Sequence, residues 1–138
     1  MKKKTRILLI ILAVLLLILV IGSLAAKSFM AKAEENLKEF SRMEITNPDL
    51  SQIADGIYSG TLTLFPLDVK VSVTVTGHRI TGVDLIKHTN GKGGGAEILT
   101  QKVVETQRVN LDTVTGATYS SKAILKAVEN ALLSGKKD

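Results

Sequence analysis

The order of apolar and polar positions places a long hydrophobic segment near the N-terminus. Residues 7–26 are 20 consecutive residues without a charged side chain. A helix of that length rises about 30 Å, which matches the hydrocarbon thickness of a bilayer. Four basic residues precede the segment: Lys2, Lys3, Lys4 and Arg6. The positive-inside tendency therefore predicts a single-pass membrane anchor with a cytoplasmic N-terminus and an extracytoplasmic C-terminal domain.

A cleaved signal peptide is the alternative, because Ser23-Leu24-Ala25 has the small-x-small pattern of a cleavage site. The apolar segment is longer than the usual hydrophobic region of a signal peptide, which favours a retained anchor. Both interpretations export the rest of the chain.

Residues 28–43 have apolar positions at helical spacing, which predicts a helical stalk; an amphipathic partner-binding helix is the alternative. Thr46-Asn47-Pro48-Asp49 ends this pattern, because proline disfavours helix in the residue before it. We therefore divide the chain into a basic start with its anchor (1–27), a helical stalk or linker (28–50) and a folded domain (51–138).

From Ile57 onward the apolar period changes to two. In the clearest stretch, Val69, Val71, Val73 and Val75 alternate with Lys70, Ser72, Thr74 and Thr76. Such alternation is typical of a half-buried strand. Gly77-His78 is a short turn, and residues 79–87 form the returning strand. Residues 57–87 are thus predicted to be an antiparallel meander of about three strands.

Two stretches near the C-terminus return to helical spacing, residues 96–108 and 120–133. Between them, residues 110–116 are expected to be irregular or a short strand. Strands followed by helices indicate the α+β class. We predict an antiparallel sheet of about three to five strands packed with two C-terminal helices, preceded by one N-terminal transmembrane helix.

Charge and composition exclude several classes of function. Five of the 18 Lys and Arg residues lie in the first 27 residues, and the remaining 13 are balanced by 13 Asp and Glu. The formal charge of +5 therefore belongs to the N-terminus, and we expect no basic face for nucleic acid. Absence of cysteine rules out disulfides and thiolate metal sites.

The glycine-rich segment 91–95 matches a relaxed dinucleotide fingerprint, Gly91-x-Gly93-x-x-Ala96. A dinucleotide fold needs a second parallel strand after the following helix, and Val109-Asn110-Leu111-Asp112 is too short and polar. Lys92 is followed by glycine, so a Walker loop is excluded as well. The segment is a flexible connection or a loop that lines a ligand.

No catalytic or metal-binding constellation is evident. The two histidines, His78 and His88, have no partner at metal-ligand spacing. Neither a serine–histidine–acid arrangement nor a pair of carboxylates is readable from the sequence. We therefore assign no catalytic residue and no metal ligand.

Hydroxyl side chains crowd the segment 112–121, directly before the last predicted helix. A helix N-terminus offers free N–H groups and the positive end of the dipole, which favour an anion. Gly116 and Ala117 leave room for close approach. Simple capping is the alternative, with Thr118 or Ser120 as N-cap and no ligand.

The same segment resembles the FMN-binding domain family, which includes periplasmic flavin subunits of sodium-translocating quinone reductases and of ferredoxin-linked ion pumps. The family pattern is an acid, two variable residues, Ser/Thr-Gly-Ala-Thr and a nearby Ser/Thr. Asp112, Thr115-Gly116-Ala117-Thr118 and Ser120 supply it in register. Weaker similarity extends over residues 52–134, including Lys87-His88 and the glycine-rich segment.

The resemblance implies that Thr118 carries FMN covalently through a phosphoester installed by an FAD-dependent flavin transferase. It implies a cofactor site formed by Thr118, Thr115, Gly116, Ala117, Asp112, Ser120, His88 and Gly93. The protein would be a redox subunit or electron carrier between a membrane donor and an extracytoplasmic acceptor. Pump subunits have Glu-Thr-Pro-Gly where this chain has Thr89-Asn90-Gly91-Lys92, which favours the short single-domain branch. A reductase subunit and a flavin-free structural module are the alternatives.

Overall fold

A computed structural model describes residues 2–89 and 94–136 and separates two compact units, Met1–Asn36 and Leu37–Asp138. The first helix, α1, spans Lys3–Ser41. Its large apolar side chains between Ile7 and Leu24 are exposed. Within the described part of the chain, α1 is the one helix with the length and composition to cross a membrane. The helix predicted over residues 28–43 is the C-terminal part of α1.

The C-terminal unit contains an antiparallel three-stranded sheet of order β1-β2-β3 and two helices. The strands are β1 (Gly56–Leu64), β2 (Leu67–Thr76) and β3 (Arg79–Thr89). The helices are α2 (Ile98–Thr106) and α3 (Thr118–Ser134), and short 3₁₀ turns occupy Leu50–Gln52 and Gly94–Glu97. The predicted α+β class, with three strands and two C-terminal helices, is confirmed.

Alternation in β2 determines which face of the sheet is buried. Its valines are fully buried, whereas its polar residues are half-buried or exposed on the opposite face. Helix α3 packs on β1 and β2, and α2 packs on β3. The shared core includes Val69, Val71, Val73, Val75, Ile80, Leu99, Val103, Ile124, Leu125, Val128 and Leu132. Gly77 and His78 both have φ near +58°, the left-handed backbone of a tight hairpin turn.

Helix α3 lies unusually close to β1 at Gly60. A Cβ atom at Gly60 would lie 1.9 Å from the carbonyl oxygen of Ala127 and 2.6 Å from the amide nitrogen of Ala131. One step along, the Asn130 amide donates to the carbonyl of Thr61 at 3.0 Å. Gly135, just after α3, faces Tyr58 near the start of β1. The helix and the strand are therefore antiparallel, and the N-terminus of α3 lies toward the β1–β2 turn.

Residues 43–49, which we call the strap, are fastened to α3 by side chains. Glu129 on α3 is 2% exposed, and its carboxylate accepts hydrogen bonds from the backbone N–H and the hydroxyl of Thr46. Lys126 donates to the other carboxylate oxygen, and Lys122 donates to the carbonyl of Met43 at 2.6 Å. Part of the region predicted as linker thus packs on the domain.

The hydrogen bonds to Glu129 outweigh its burial. Burial by itself raises the pKa of this carboxyl, but the hydrogen bonds from Lys126 and Thr46 lower it more, so the net pKa lies below its usual value. Because the folded-state pKa is below the unfolded one, the resulting stabilisation is complete above about pH 4.3 and is lost as the pH falls through the lowered pKa.

Substituting Gly60 by Ala is expected to destabilise the domain strongly, because the new Cβ meets backbone atoms of α3 that cannot rotate away. We expect a loss of roughly 3 kcal/mol in the free energy of unfolding. Calorimetry of the chain in detergent measures it. Gly82→Ala in β3 is the matched control, since its Cβ would meet Thr74 at 3.8 Å. That control should change stability by less than about 1 kcal/mol, and equal losses in both variants would contradict the close approach.

Substituting Glu129 by Gln is expected to lower stability by about 1–2 kcal/mol at neutral pH, because the charge-assisted bond from Lys126 is lost. The difference between parent and variant should shrink as the pH falls through the lowered pKa, since the parent carboxyl is then protonated. Chemical unfolding at a series of pH values measures this difference. A difference that stays constant down to the acid limit would contradict the role of the carboxylate.

Candidate functional site

The segment between α2 and α3 has no regular structure and is held by side chains. Gln107 ends α2 with φ of 58°. Its side-chain oxygen accepts the N–H of Ile80 at 2.8 Å, and its amide nitrogen donates to the carbonyls of Ile80 and Val104, each at 2.7 Å. Residues 108–117 then run irregularly to the start of α3. We call residues 109–117 the motif loop.

Ser121 anchors the second half of the motif loop to α3. Its hydroxyl oxygen, fully buried, accepts the N–H of Val114 at 2.9 Å. The N–H of Ala117 in turn donates to the carbonyl of Val114 at 2.9 Å. This turn includes Gly116, whose φ of +80° lies in the left-handed region that glycine adopts without strain. Thr115 and Gly116 are therefore displayed on an exposed turn.

Helix α3 begins at Thr118, and the N-cap position is Ala117. The expectation that Thr118 or Ser120 is the N-cap is therefore wrong, because the tight turn at residues 114–117 places alanine there. Alanine has no side-chain acceptor for the first N–H groups of the helix. Thr118, the first residue of the helix, is exposed.

This end of α3 fits a phosphate group. The first-turn N–H groups and the positive end of the helix dipole suit an anion, and the hydroxyls of Thr115 and Thr118 are exposed on the same turn. A Cβ added at Gly116 would meet no atom within 4 Å, so the approach to the turn is open. These features favour an anionic group at the start of α3.

The other predicted site residues differ in accessibility. Asp112 is exposed, upstream in the motif loop. Ser120 is 3% exposed and turns toward the core, so it does not share the open side of Thr118. Gly93 lies outside the described residues. Sequence reasoning gave Ser121 no structural role, although its position three residues before Ile124 places it on the buried face of α3.

The structure places His88 at the end of the sheet toward which the N-terminus of α3 is directed. It pairs with Val69 and therefore lies on the buried face, at the end of β3 that adjoins the β1–β2 turn. Its side chain is 3% exposed, and Nδ1 is 3.0 Å from a carboxylate oxygen of Glu97. Glu97 belongs to the 3₁₀ turn that contacts α3. Sequence analysis missed Glu97, because nothing in the spacing of residues 88 and 97 predicts their contact.

Comparison with known proteins identifies the domain. Residues 66–133 match the FMN-binding domain family. This segment is an FMN-binding domain. It contains β2, β3, α2, the motif loop and nearly all of α3. The match supports FMN as the cofactor and a role in flavin electron transfer.

Two curated relatives match the FMN-binding domain over a short part of their length. Urocanate reductase of Eggerthella lenta is 36% identical over 68 residues, which cover 47% of this chain and 11% of that protein. NADH:acrylate oxidoreductase of Vibrio harveyi is 37% identical over 68 residues, covering 47% of this chain and 7% of that protein. The similarity is therefore to a domain of each enzyme.

Proposed function

We propose that the protein is a membrane-anchored, extracytoplasmic electron carrier that holds FMN through a phosphoester on Thr118. The observation that carries the proposal is the exposed Thr118 hydroxyl at an N-terminus of α3 whose N-cap is alanine, within an FMN-binding domain. The apolar helix α1 supplies the anchor.

The attachment is a group transfer from FAD, catalysed by a flavin transferase. The Thr118 hydroxyl oxygen forms a bond to the phosphorus on the FMN side of the pyrophosphate. The pyrophosphate bond breaks, AMP leaves with the bridging oxygen, and the hydroxyl proton passes to a base of the transferase. The balance is one FAD consumed for one phosphoester and one AMP, with no change of oxidation state.

The chain's own residues then hold the phosphate and leave the redox chemistry to the flavin. Thr115 and Gly116 contribute the exposed turn beside the phosphate, and the first turn of α3 adds its free N–H groups and its dipole. We assign Asp112 to the surface that the transferase recognises. We also assign His88 and Gly93 to the cofactor, whereas Ser120 faces the core and is left out of the group.

Covalent attachment suits a domain on the outside of the membrane. A flavin held by noncovalent contacts alone would be lost by dilution there, whereas a phosphoester keeps it regardless of concentration. FMN supplies the electron-accepting ring, and the protein supplies orientation and environment. The donor is a redox partner in the membrane, and the acceptor is extracytoplasmic.

Substituting Thr118 by Ala is expected to abolish covalent labelling, because the other aliphatic hydroxyls in the first turn of α3, those of Ser120 and Ser121, are buried. The chain is coexpressed with a flavin transferase, denatured and examined for flavin fluorescence in a gel. In the parent, mass analysis should find one FMN minus one water on the peptide that contains Thr118.

Thr115→Ala is the matched control in the same turn. Its labelled peptide should still carry the modification on Thr118, even if loading is slower. Fluorescence that persists in Thr118→Ala, or a modification mapped to Thr115, would contradict the assignment. A parent protein of unmodified mass would favour a flavin-free structural module.

The orientation gives a separate expected outcome. With four basic residues before the apolar helix, residues 42–138 should be digested by protease added outside intact spheroplasts, and a tag at Met1 should survive. Protection of both ends would place the domain in the cytoplasm and contradict export.

A second candidate function is the flavin component of a separate reductase. Both curated relatives are named as a reductase or oxidoreductase and match the chain over a single short domain. In that case the flavin of this chain delivers electrons to a catalytic chain that binds the organic acceptor. Rapid oxidation of the reduced, purified protein by an organic acceptor only in the presence of a second chain would favour this candidate over a carrier of broad acceptor range.

A further inference from the structure

The strap reaches the motif loop through one side chain, Asn47. Its side-chain oxygen accepts the N–H groups of both Val109 and Asn110, at 2.7 and 3.0 Å. Its amide nitrogen donates to the side-chain oxygen of Asn110 at 2.6 Å. The three hydrogen bonds join residues that are 62 and 63 positions apart in the sequence.

Asn47 supplies a hydrogen-bond acceptor to backbone N–H groups that no helix or strand satisfies. The start of the motif loop belongs to no helix or strand, so its N–H groups need acceptors from elsewhere. Val109 is only 2% exposed, so water does not readily replace Asn47 there. Pro48 keeps Asn47 out of the helical conformation, and the neighbouring Thr46 is fixed to Glu129. The asparagine is therefore held from both sides.

The motif loop is consequently held at two points, one at its start and one in its second half. Asn47 holds residues 109 and 110, and Ser121 holds Val114. Asp112 lies between these attachments, and Thr118 follows the second. A loop fixed in this way presents the acid and the hydroxyl in one arrangement to an incoming enzyme, without the cost of ordering it on binding.

We propose that Asn47 is a positioning residue for flavin attachment, holding the Asp112–Thr118 segment in the conformation that the flavin transferase recognises. This inference rests on the proposed function. It also makes flavin attachment depend on the strap, which begins at Met43, two residues after the last residue of α1. Attachment is then efficient only when the strap is docked on the domain.

The test is the initial rate of flavin loading of the full chain in detergent, with purified transferase and FAD, measured by in-gel fluorescence. Asn47→Ala should lower the rate at subsaturating chain concentration by about tenfold, through a raised KM for the chain, because the loop must be ordered on binding. Asn130→Ala removes a single long-range asparagine contact, to Thr61, and is the matched control. Its rate should stay within about twofold of the parent at a temperature below both unfolding midpoints.

A conservative variant separates positioning from general destabilisation. Asn47→Asp keeps an oxygen acceptor for both N–H groups and loses the donor to Asn110, so its rate should return to within about threefold of the parent. Where Asn47→Ala does not fold, Asn110→Ala keeps both backbone bonds to Asn47, removes the side-chain bonds to Asn47 and Arg108, and should lower the rate by a smaller factor.

The two proposals fail in different ways. A parent chain that is never labelled on Thr118 would overturn the proposed function. Labelling of the parent together with equal KM values for Asn47→Ala and Asn130→Ala would overturn the positioning role of Asn47 alone. A rate that falls in step with the unfolding midpoint in every variant, with no rescue by aspartate, would also overturn it.

Discussion

The contact between Gly60 and the backbone of α3 determines where the functional end of this domain lies. The absence of a side chain at Gly60 lets α3 rest directly on β1, with Ala127 and Ala131 facing the strand. This proximity fixes the axial position of α3 against the sheet. Because the two elements are antiparallel, the N-terminus of α3 is directed to the sheet end where β3 finishes. The site therefore depends on a packing contact near the opposite end of the helix.

In the segment between α2 and α3, side chains replace secondary structure. Gln107, Asn47 and Ser121 each supply an acceptor to a backbone N–H that no helix or strand satisfies. Backbone polar groups that are partly buried must find such partners. The result is an exposed loop with a defined shape, which suits a segment that another enzyme has to recognise.

The two units of the chain meet different physical requirements of the proposed carrier. Beyond residue 27 the acidic and basic side chains are equal in number, so residues 28–138 together have no net charge with which to attract partners over long distances. In the proposed carrier, anchoring by α1 compensates by confining the domain near the membrane, which raises its effective concentration toward the proposed membrane donor. Partner choice then rests on local contacts of the domain surface.

Much of this architecture is determined locally. The uncharged segment 7–26 dictates an apolar helix, and the alternation from Val69 to Val75 determines which face of β2 is buried, because both follow from fixed side-chain periods. The acid and Thr115-Gly116-Ala117-Thr118 pattern likewise predicts a cofactor site without any structure. Tertiary structure alone decided that Ala117 is the N-cap, that Ser120 is buried, and that His88 meets Glu97. It also decided that Asn47 holds the motif loop. These contacts join residues far apart in the chain or depend on the conformation of the turn before a helix. The periodicity of apolar residues in the sequence predicts neither.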